Sequence, residues 1–415
     1  MSALDRLRDI VRRNRSGERA GIPSWCTAHA DVLRAILEAH RGTNDVVLIE
    51  ATCNQVNHRG GYTGMTPAAF RDFVFGLAQT CGIRSEQILL GGDHLGPNPW
   101  RFRPAAEAMA DARLMVRAYV EAGFRKIHLD ASMRCADDGS LSEAEMAARA
   151  ADLCAVAEAS SGASKPVYVV GTEVPIPGGE VAGTGGLVVT SPDAVLATFE
   201  QHRQAFGPSA GDRVIGIVAQ PGVDFSNSQI WRFDANAAAA LSAANSRLVG
   251  AVFEAHSTDY QSSLALGQLV ESHFGILKVG PELTFAFREA VIAMAAIEER
   301  LAAASPSRIV EIILKEMADD PRHWRGYISD GPDQQIALLF GLSDRVRYYW
   351  LNQRIAKALG QLYANIDAVS VSPGLVSQFT GIPPSDLSAG SSLSSQIIAA
   401  KVGAVVGKYR EACRA

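Results

Sequence analysis

No C-x-x-C pair occurs in this chain. Its six cysteines, Cys26, Cys53, Cys81, Cys135, Cys154 and Cys413, are scattered over 415 residues, a pattern of reduced thiols rather than a disulfide frame. No run approaches the ~18 apolar residues of a membrane helix, so no membrane partner is expected. There is no Lys/Arg block, and a net charge of −5 with a pI near 6.0 argues against nucleic acid as a partner. The opening segment MSALDRLRDIVRRNRSGERAG is charged and lacks the apolar centre of a signal peptide, which points to the cytoplasm. Neither G-x-G-x-x-G nor G-x-x-x-x-G-K-[ST] is present, and the glycine-rich GGEVAGTGG (178–186) fits neither. It reads as a βα loop with the character of a lid. H-E-x-x-H is absent as well.

What is present is a regular alternation. Short apolar runs at 22–27, 46–52, 88–94, 126–132, 167–173, 214–220, 248–256 and 276–280 are each followed by a helical pattern. Strands apolar on both faces, alternating with helices, imply a parallel sheet. Eight such units fill residues 22 to about 304, close to the ~250 residues of a (β/α)8 barrel. A doubly wound open sheet is the competitor, disfavoured because no dinucleotide fingerprint accompanies it. Beyond 305, segments 306–317, 332–362 and 393–411 read as helices, broken by VSPGLVSQFTGIPPSDLSAGSS. The expected organisation is an α/β barrel over 1–304 and a helical C-terminal extension over 305–415, packed on it.

Barrel active sites lie at the carboxyl ends of the strands. Here the strands end on Glu50, on Asp93 and His94, on His128 and Asp130, on Glu173, on Gln220, on Glu254 and His256, and on Lys278. A single polar residue at a strand end is more often a cap or an anchor than a catalyst. Seven strands delivering such groups to one rim is the signal. His94, His256 and Glu173, from alternate strands, make a donor set that suits a divalent metal, Zn2+ above all. The competing reading is a metal-free acid–base site whose histidines hydrogen-bond the substrate. Asn54, Gln55, Asn57, His58 and Arg59 crowd the loop after the second strand, beside Gly60 and Gly61. LSDRVRYYW (342–350) places Arg345 and Arg347 among aromatics, either as helix packing or to reach a phosphate. Cys26 and Cys53 lack a neighbouring cation and read as inert. His40, His202, His273 and His323 read as surface or packing residues.

The stretches VLIEATCNQVNHRGGYTGMTP, ILLGGDHLGPN, KIHLDASMRCA, VVGTEVPIPGGE, VAQPGVDF, VFEAHSTDYQ, LKVGPELTF and LSDRVRYYW resemble successive blocks of the GatZ/KbaZ-type family. Its members are the so-called non-catalytic subunits of D-tagatose-1,6-bisphosphate aldolase. The resemblance implies a barrel related to class II, zinc-dependent aldolases, with Asp93 as proton-transfer acid and His94 and His256 as ligands. Gln220 stands where those aldolases carry a further histidine, so Glu173 becomes the third ligand. Relatives are described as aldolase subunits, as tagatose 6-phosphate 4-epimerases and as kinases.

The expectation is a metal-dependent C4 epimerisation of a ketohexose 6-phosphate by retro-aldol cleavage and re-addition. Asp93, Glu173, Asp130 and Glu254 would be catalytic. Glu50, Asn54, Gln55, Asn57, Gln220, Lys278, Arg345 and Arg347 would bind the sugar phosphate, with Arg59 a further phosphate candidate and Gly60–Gly61 letting backbone approach the ligand. The alternatives are a stabilising subunit for a separate aldolase chain and a tagatose 6-phosphate kinase. A homo-oligomer is expected.

Overall fold

A computed structural model of the chain describes residues 1–171, 187–388 and 390–414. The apolar runs become eight strands: β1 (Ile22–Cys26), β2 (Val47–Thr52), β3 (Ile88–Leu95), β4 (Lys126–Leu129), β5 (Val167–Val170), β6 (Val214–Val218), β7 (Val252–Ala255) and β8 (Phe274–Val279). Each pairs in parallel with the next, and β8 pairs with β1. The sheet is therefore a closed (β/α)8 barrel and not a doubly wound sheet. Between β6 and β7 a small antiparallel pair, Asp224–Phe225 with Ile230–Trp231, is added.

Most strands are shorter than their apolar runs, β4 and β7 among them. β4 stops at Leu129 because Asp130 turns away, its backbone N–H donating to the Leu95 carbonyl while its carboxylate accepts from His94 and Ser132. β7 starts only at Val252, since Asn245–Arg247 form a short 3-10 turn. Helix starts follow local chemistry. Thr66 caps the helix Pro67–Thr80 through the Ala69 N–H, with proline in the first turn. Ser142 and Glu145 form a capping box on Glu143–Ser160.

The barrel interior has two layers. The lower one is apolar, built from Ile22, Leu48, Leu89, Val167, Val169, Ile215, Val252 and Ile276. Helix Ala3–Arg15 plugs it from below with Leu4, Leu7 and Val11, so the charged N-terminal segment is an amphipathic cap. Above this floor the interior becomes polar, and that layer carries the site.

Residue 304 lies just past the helix Pro281–Leu301. Apolar side chains on both sides of it share one core, from Leu283 and Met294 to Ile313, Leu362 and Val402. The last helix, Leu393–Cys413, packs against Ala30–Ala39, Ser263–Glu271 and Pro281–Leu301. It thus takes a place in the outer ring next to the first and seventh barrel units. Tyr409 Oη donates to the Thr258 carbonyl at 2.8 Å, and Arg410 pairs with Asp45 at 2.7 Å. Among the described residues no helix is long and apolar enough to cross a membrane.

Candidate active site

At the carboxyl end of the barrel, register decides which side chains meet. Glu50 on β2 lies beside Gly91 on β3, which lies beside Lys126 on β4. Gly91 has no side chain, and a Cβ there would sit 2.7 Å from Glu50 Cγ. Glu50 therefore reaches across to Lys126 Nζ at 2.6 Å. The same ammonium holds Glu254 of β7 at 2.7 Å. All three are 0% exposed, so their charges persist only because they are paired. Glu50 also binds Lys278 of β8, which lies 3.0 Å from Asp93.

Three imidazoles sit on this frame, with ring centroids 5.0 Å apart for His94–His128 and His94–His256 and 5.4 Å for His128–His256. Each is held by a carboxylate. His94 Nδ1 is 2.9 Å from Asp130, His256 Nε2 is 2.9 Å from Glu254, and His128 Nδ1 is 2.9 Å from Asp93. An ionised carboxylate only accepts, so those nitrogens carry the hydrogens and the opposite nitrogens keep their lone pairs. Asp130 is itself fixed by Ser132 through N–H and O–H bonds of 3.1 and 2.6 Å. This carboxylate–histidine pairing is how metal-binding imidazoles are oriented.

The donor set fits a divalent ion. Ligand atoms of Asp93, His94, His128 and His256 lie within 4.8 Å of one another. His128 Nε2 is buried with no hydrogen-bond partner among the described residues. Four carboxylates (Glu50, Asp93, Asp130, Glu254) face two ammonium groups (Lys126, Lys278), and against burial Asp93 and Asp130 raise the His94 imidazole above its ordinary value, a negative surplus that a dication would offset in place of that proton. Burial alone would raise Asp93, but His94, Lys278 and His128 hold its carboxyl well below the usual range. Burial opposes the Lys278 ammonium too, yet Asp93 and Glu50 keep it well above its ordinary value. His256 is pushed down to about 3 by burial, so it is neutral and able to donate a lone pair. His94 (φ +51°) and Ser257 (φ +51°), at two of the ligand-bearing turns, are in the left-handed region, a strain typical of functional sites.

The cavity above the cluster is lined by Cys26, His29, Asn54, Gln55, Asp93, His94, His256, Lys278, Arg347, Tyr348 and Trp350, among others. Asn54, Gln55, Lys278 and Arg347 thus reach the space where the sequence placed them. Several expected contacts go elsewhere. Asn57 donates to the Cys53 carbonyl and accepts from Arg59 and Gly61 N–H groups, locking its own loop. Arg59 pairs with Asp111 at 2.6 Å. Gln220 accepts from Gly222 and Val223 N–H groups, because a carbonyl oxygen two residues upstream suits a tight turn. Arg345 is 3% exposed under the Tyr327 ring. Glu50, Glu254 and Asp130 are buried behind the cluster and hold its members, so they do not reach the substrate space. Asp93 belongs to the donor set as well as facing the cavity. Glu173 and the 178–186 glycine stretch lie outside the described residues.

Gly61 closes the loop on itself rather than admitting a ligand. At φ +57°, its Cβ would lie 2.3 Å from the Gln55 carbonyl oxygen. Gly61→Ala is therefore expected to destabilise the protein by about 1–3 kcal/mol, read from the denaturant midpoint; an unchanged midpoint would show that the loop opens freely.

Four contributors escaped the sequence reading. His128 was seen as a rim residue but not as a ligand. Lys126 stands two before it in KIHLDAS, and the period of two already put it on the same face. His29 carries no local motif, and Tyr348 stands in LSDRVRYYW as one of the aromatics given no role of its own.

Comparisons agree with this architecture. Over residues 7–414 the chain matches the family described as D-tagatose-1,6-bisphosphate aldolase subunit GatZ/KbaZ-like. It is 46% identical over 420 residues to the D-tagatose-1,6-bisphosphate aldolase subunit GatZ of Klebsiella pneumoniae, covering 98% of this chain and 99% of that one. The Salmonella typhimurium protein of the same name is 45% identical over 419 residues, with the same coverage. A crystal structure of a probable tagatose 6 phosphate kinase from Sinorhizobium meliloti superposes with a TM-score of 0.86 at 44% identity, covering 95% of this chain and all of that one.

Proposed function

The chain belongs to the D-tagatose-1,6-bisphosphate aldolase subunit GatZ/KbaZ-like family, and from that premise we propose that it is itself catalytic, epimerising D-tagatose 6-phosphate to D-fructose 6-phosphate at C4. The observation that carries the reading is the convergence of Asp93, His94, His128 and His256, each imidazole backed by a carboxylate, under a cavity that also presents Lys278 and Arg347. A subunit that only stabilised another chain would need no such set.

The C4 proton of a 2-ketose is not α to the carbonyl, so simple enolisation cannot invert that centre. Transient oxidation would need a dinucleotide site, and the sequence has no fingerprint for one. Cleavage and re-addition of the C3–C4 bond remains. Asp93, His94, His128 and His256 would hold a divalent ion, Zn2+ by donor chemistry, which supplies Lewis acidity toward the C2 carbonyl and C3 hydroxyl oxygens. Lys278 adds a fixed positive charge next to the place where the enediolate charge develops. Asn54 and Gln55 offer amide groups to sugar hydroxyls. Arg347 offers its guanidinium to the 6-phosphate. The walls retain the aldehyde fragment until it turns and re-adds.

The purified chain alone, supplied with Zn2+, is expected to convert D-tagatose 6-phosphate to D-fructose 6-phosphate. No product with or without Zn2+ would overturn the reading. A second reading is favoured by the names of the full-length relatives, which are aldolase subunits. Under it, the chain co-purifies with an aldolase catalytic subunit and restores that partner's stability while lacking activity alone. The kinase reading has no P-loop or glycine-rich kinase motif to support it.

A further inference from the structure

Cleavage at C3–C4 needs a group that takes the O4 proton and gives it back. Asp93 is poorly suited, since it is pinned by Lys278 and His128 within the donor set. The other ionisable groups facing the cavity narrow quickly among the described residues. Cys26 is pushed up to about 12 by burial. His29 is pushed down to about 4 by burial, its ring packed on Phe287. Asp259 is pushed up to about 7 by burial and by Glu282, but it is 2% exposed, and one of its oxygens is taken by the Gly280 and Glu282 N–H groups at the head of helix Pro281–Leu301. Tyr62 is pushed up by burial and by Tyr348, a direction that disfavours its ionisation.

Tyr348 differs from all of these. It comes from the C-terminal part of the chain, is half-buried, and lines the cavity together with Asp93, His94 and His256. Its ring is stacked on His323 at 4.8 Å with planes 7° apart, and Tyr62 meets it edge-on at 5.1 Å. Arg347 donates to its oxygen at 2.9 Å. The Arg347 and Arg345 guanidinium groups lie 4.4 and 5.9 Å from the ring centroid. We infer that Tyr348 is the proton-transfer residue for the sugar O4, an inference that rests on the C4-epimerase reading above. The charged and titratable groups facing it are Arg345, Arg347 and Asp344 on its own segment, Tyr62 from the loop after β2, and His323. Burial would raise the phenol, but the two arginines bring it below its ordinary value, against the opposing charge of Asp344. A tyrosinate that is stabilised and immobilised in this way is a usable base.

The step balances. The O4–H bond breaks and its proton passes to the Tyr348 oxygen. The C3–C4 electron pair moves into an enediolate over C2 and C3, while O4 becomes the aldehyde carbonyl. After the aldehyde turns, C3 attacks its other face, and the proton returns from Tyr348 to O4.

Two measurements on the full chain, loaded with Zn2+, test this. Tyr348→Phe should lower kcat in both directions by about 10²–10⁴-fold, with bound metal per chain and thermal midpoint unchanged and KM moved by less than about threefold. In the near-ultraviolet, one tyrosine should ionise below about 10. That transition should vanish in Tyr348→Phe and move upward in Arg347→Gln, which keeps the phenol. If the unmodified chain is active and Tyr348→Phe keeps its kcat, or if Asp259→Asn removes activity while Tyr348→Phe does not, Tyr348 is excluded and the epimerase reading stands. If the unmodified chain shows no epimerisation, the epimerase reading falls. The tyrosine titration is then still decisive for this residue: no transition below about 10 overturns the inference by itself.

Discussion

Replacing His94, His128 or His256 by alanine is expected to lower the affinity for Zn2+ by more than 100-fold each. Removing only a carboxylate behind a ligating histidine typically costs about 10–100-fold, and here the ligand itself is lost. His128→Ala is the most informative of the three. Its Nε2 has no partner to lose among the described residues, so a fall in bound metal is not the loss of a hydrogen bond to any of them at that atom. Equilibrium dialysis with elemental analysis reads the effect directly, and epimerase activity should fall with it. Metal content unchanged in all three variants would remove the cluster as a metal centre.

The second large effect lies below the cluster. Lys126→Met keeps most of the side-chain volume but leaves Glu50 and Glu254 without their shared ammonium, all in a layer with no access to water. Breaking one partner of a buried ion pair costs about 3–5 kcal/mol, and the denaturant midpoint should show a loss of that size. Glu50 retains its ion pair with Lys278, whereas Glu254 keeps the hydrogen bond of His256 and only the more distant charge of Lys278 among the described residues. Adding Glu254→Gln to Lys126→Met should therefore recover part of the stability. A double variant no more stable than the single one would mean that the cost is packing, not charge.

The division between what was legible and what was not follows the range of the interactions. The eight apolar runs with intervening helices were enough for the barrel, because each strand and helix is specified by patterning within ten to twenty residues. The same reading placed Asp93, His94, His256 and Lys278 at one rim. It failed where a side chain had a closer use. Asn57 and Gln220 looked like ligands for a sugar and were spent on the turns that hold them. Arg345 looked like a phosphate group's partner and went under Tyr327. Composition and spacing do not distinguish an amide that faces a cavity from one that closes its own loop.

The sequence by itself determined the alternation, the rim and the family blocks, since all of these are local or strand-by-strand properties. Only the tertiary structure decided the meeting of the charges. Closing the ring sets the stagger between strands, and that stagger puts Gly91 between Glu50 and Lys126, so that one missing side chain lets two charges touch. It also brings a turn more than two hundred residues downstream, with Arg347 and Tyr348, over the mouth of the barrel. Both depend on distances between segments far apart in the chain, which no periodicity along the chain encodes.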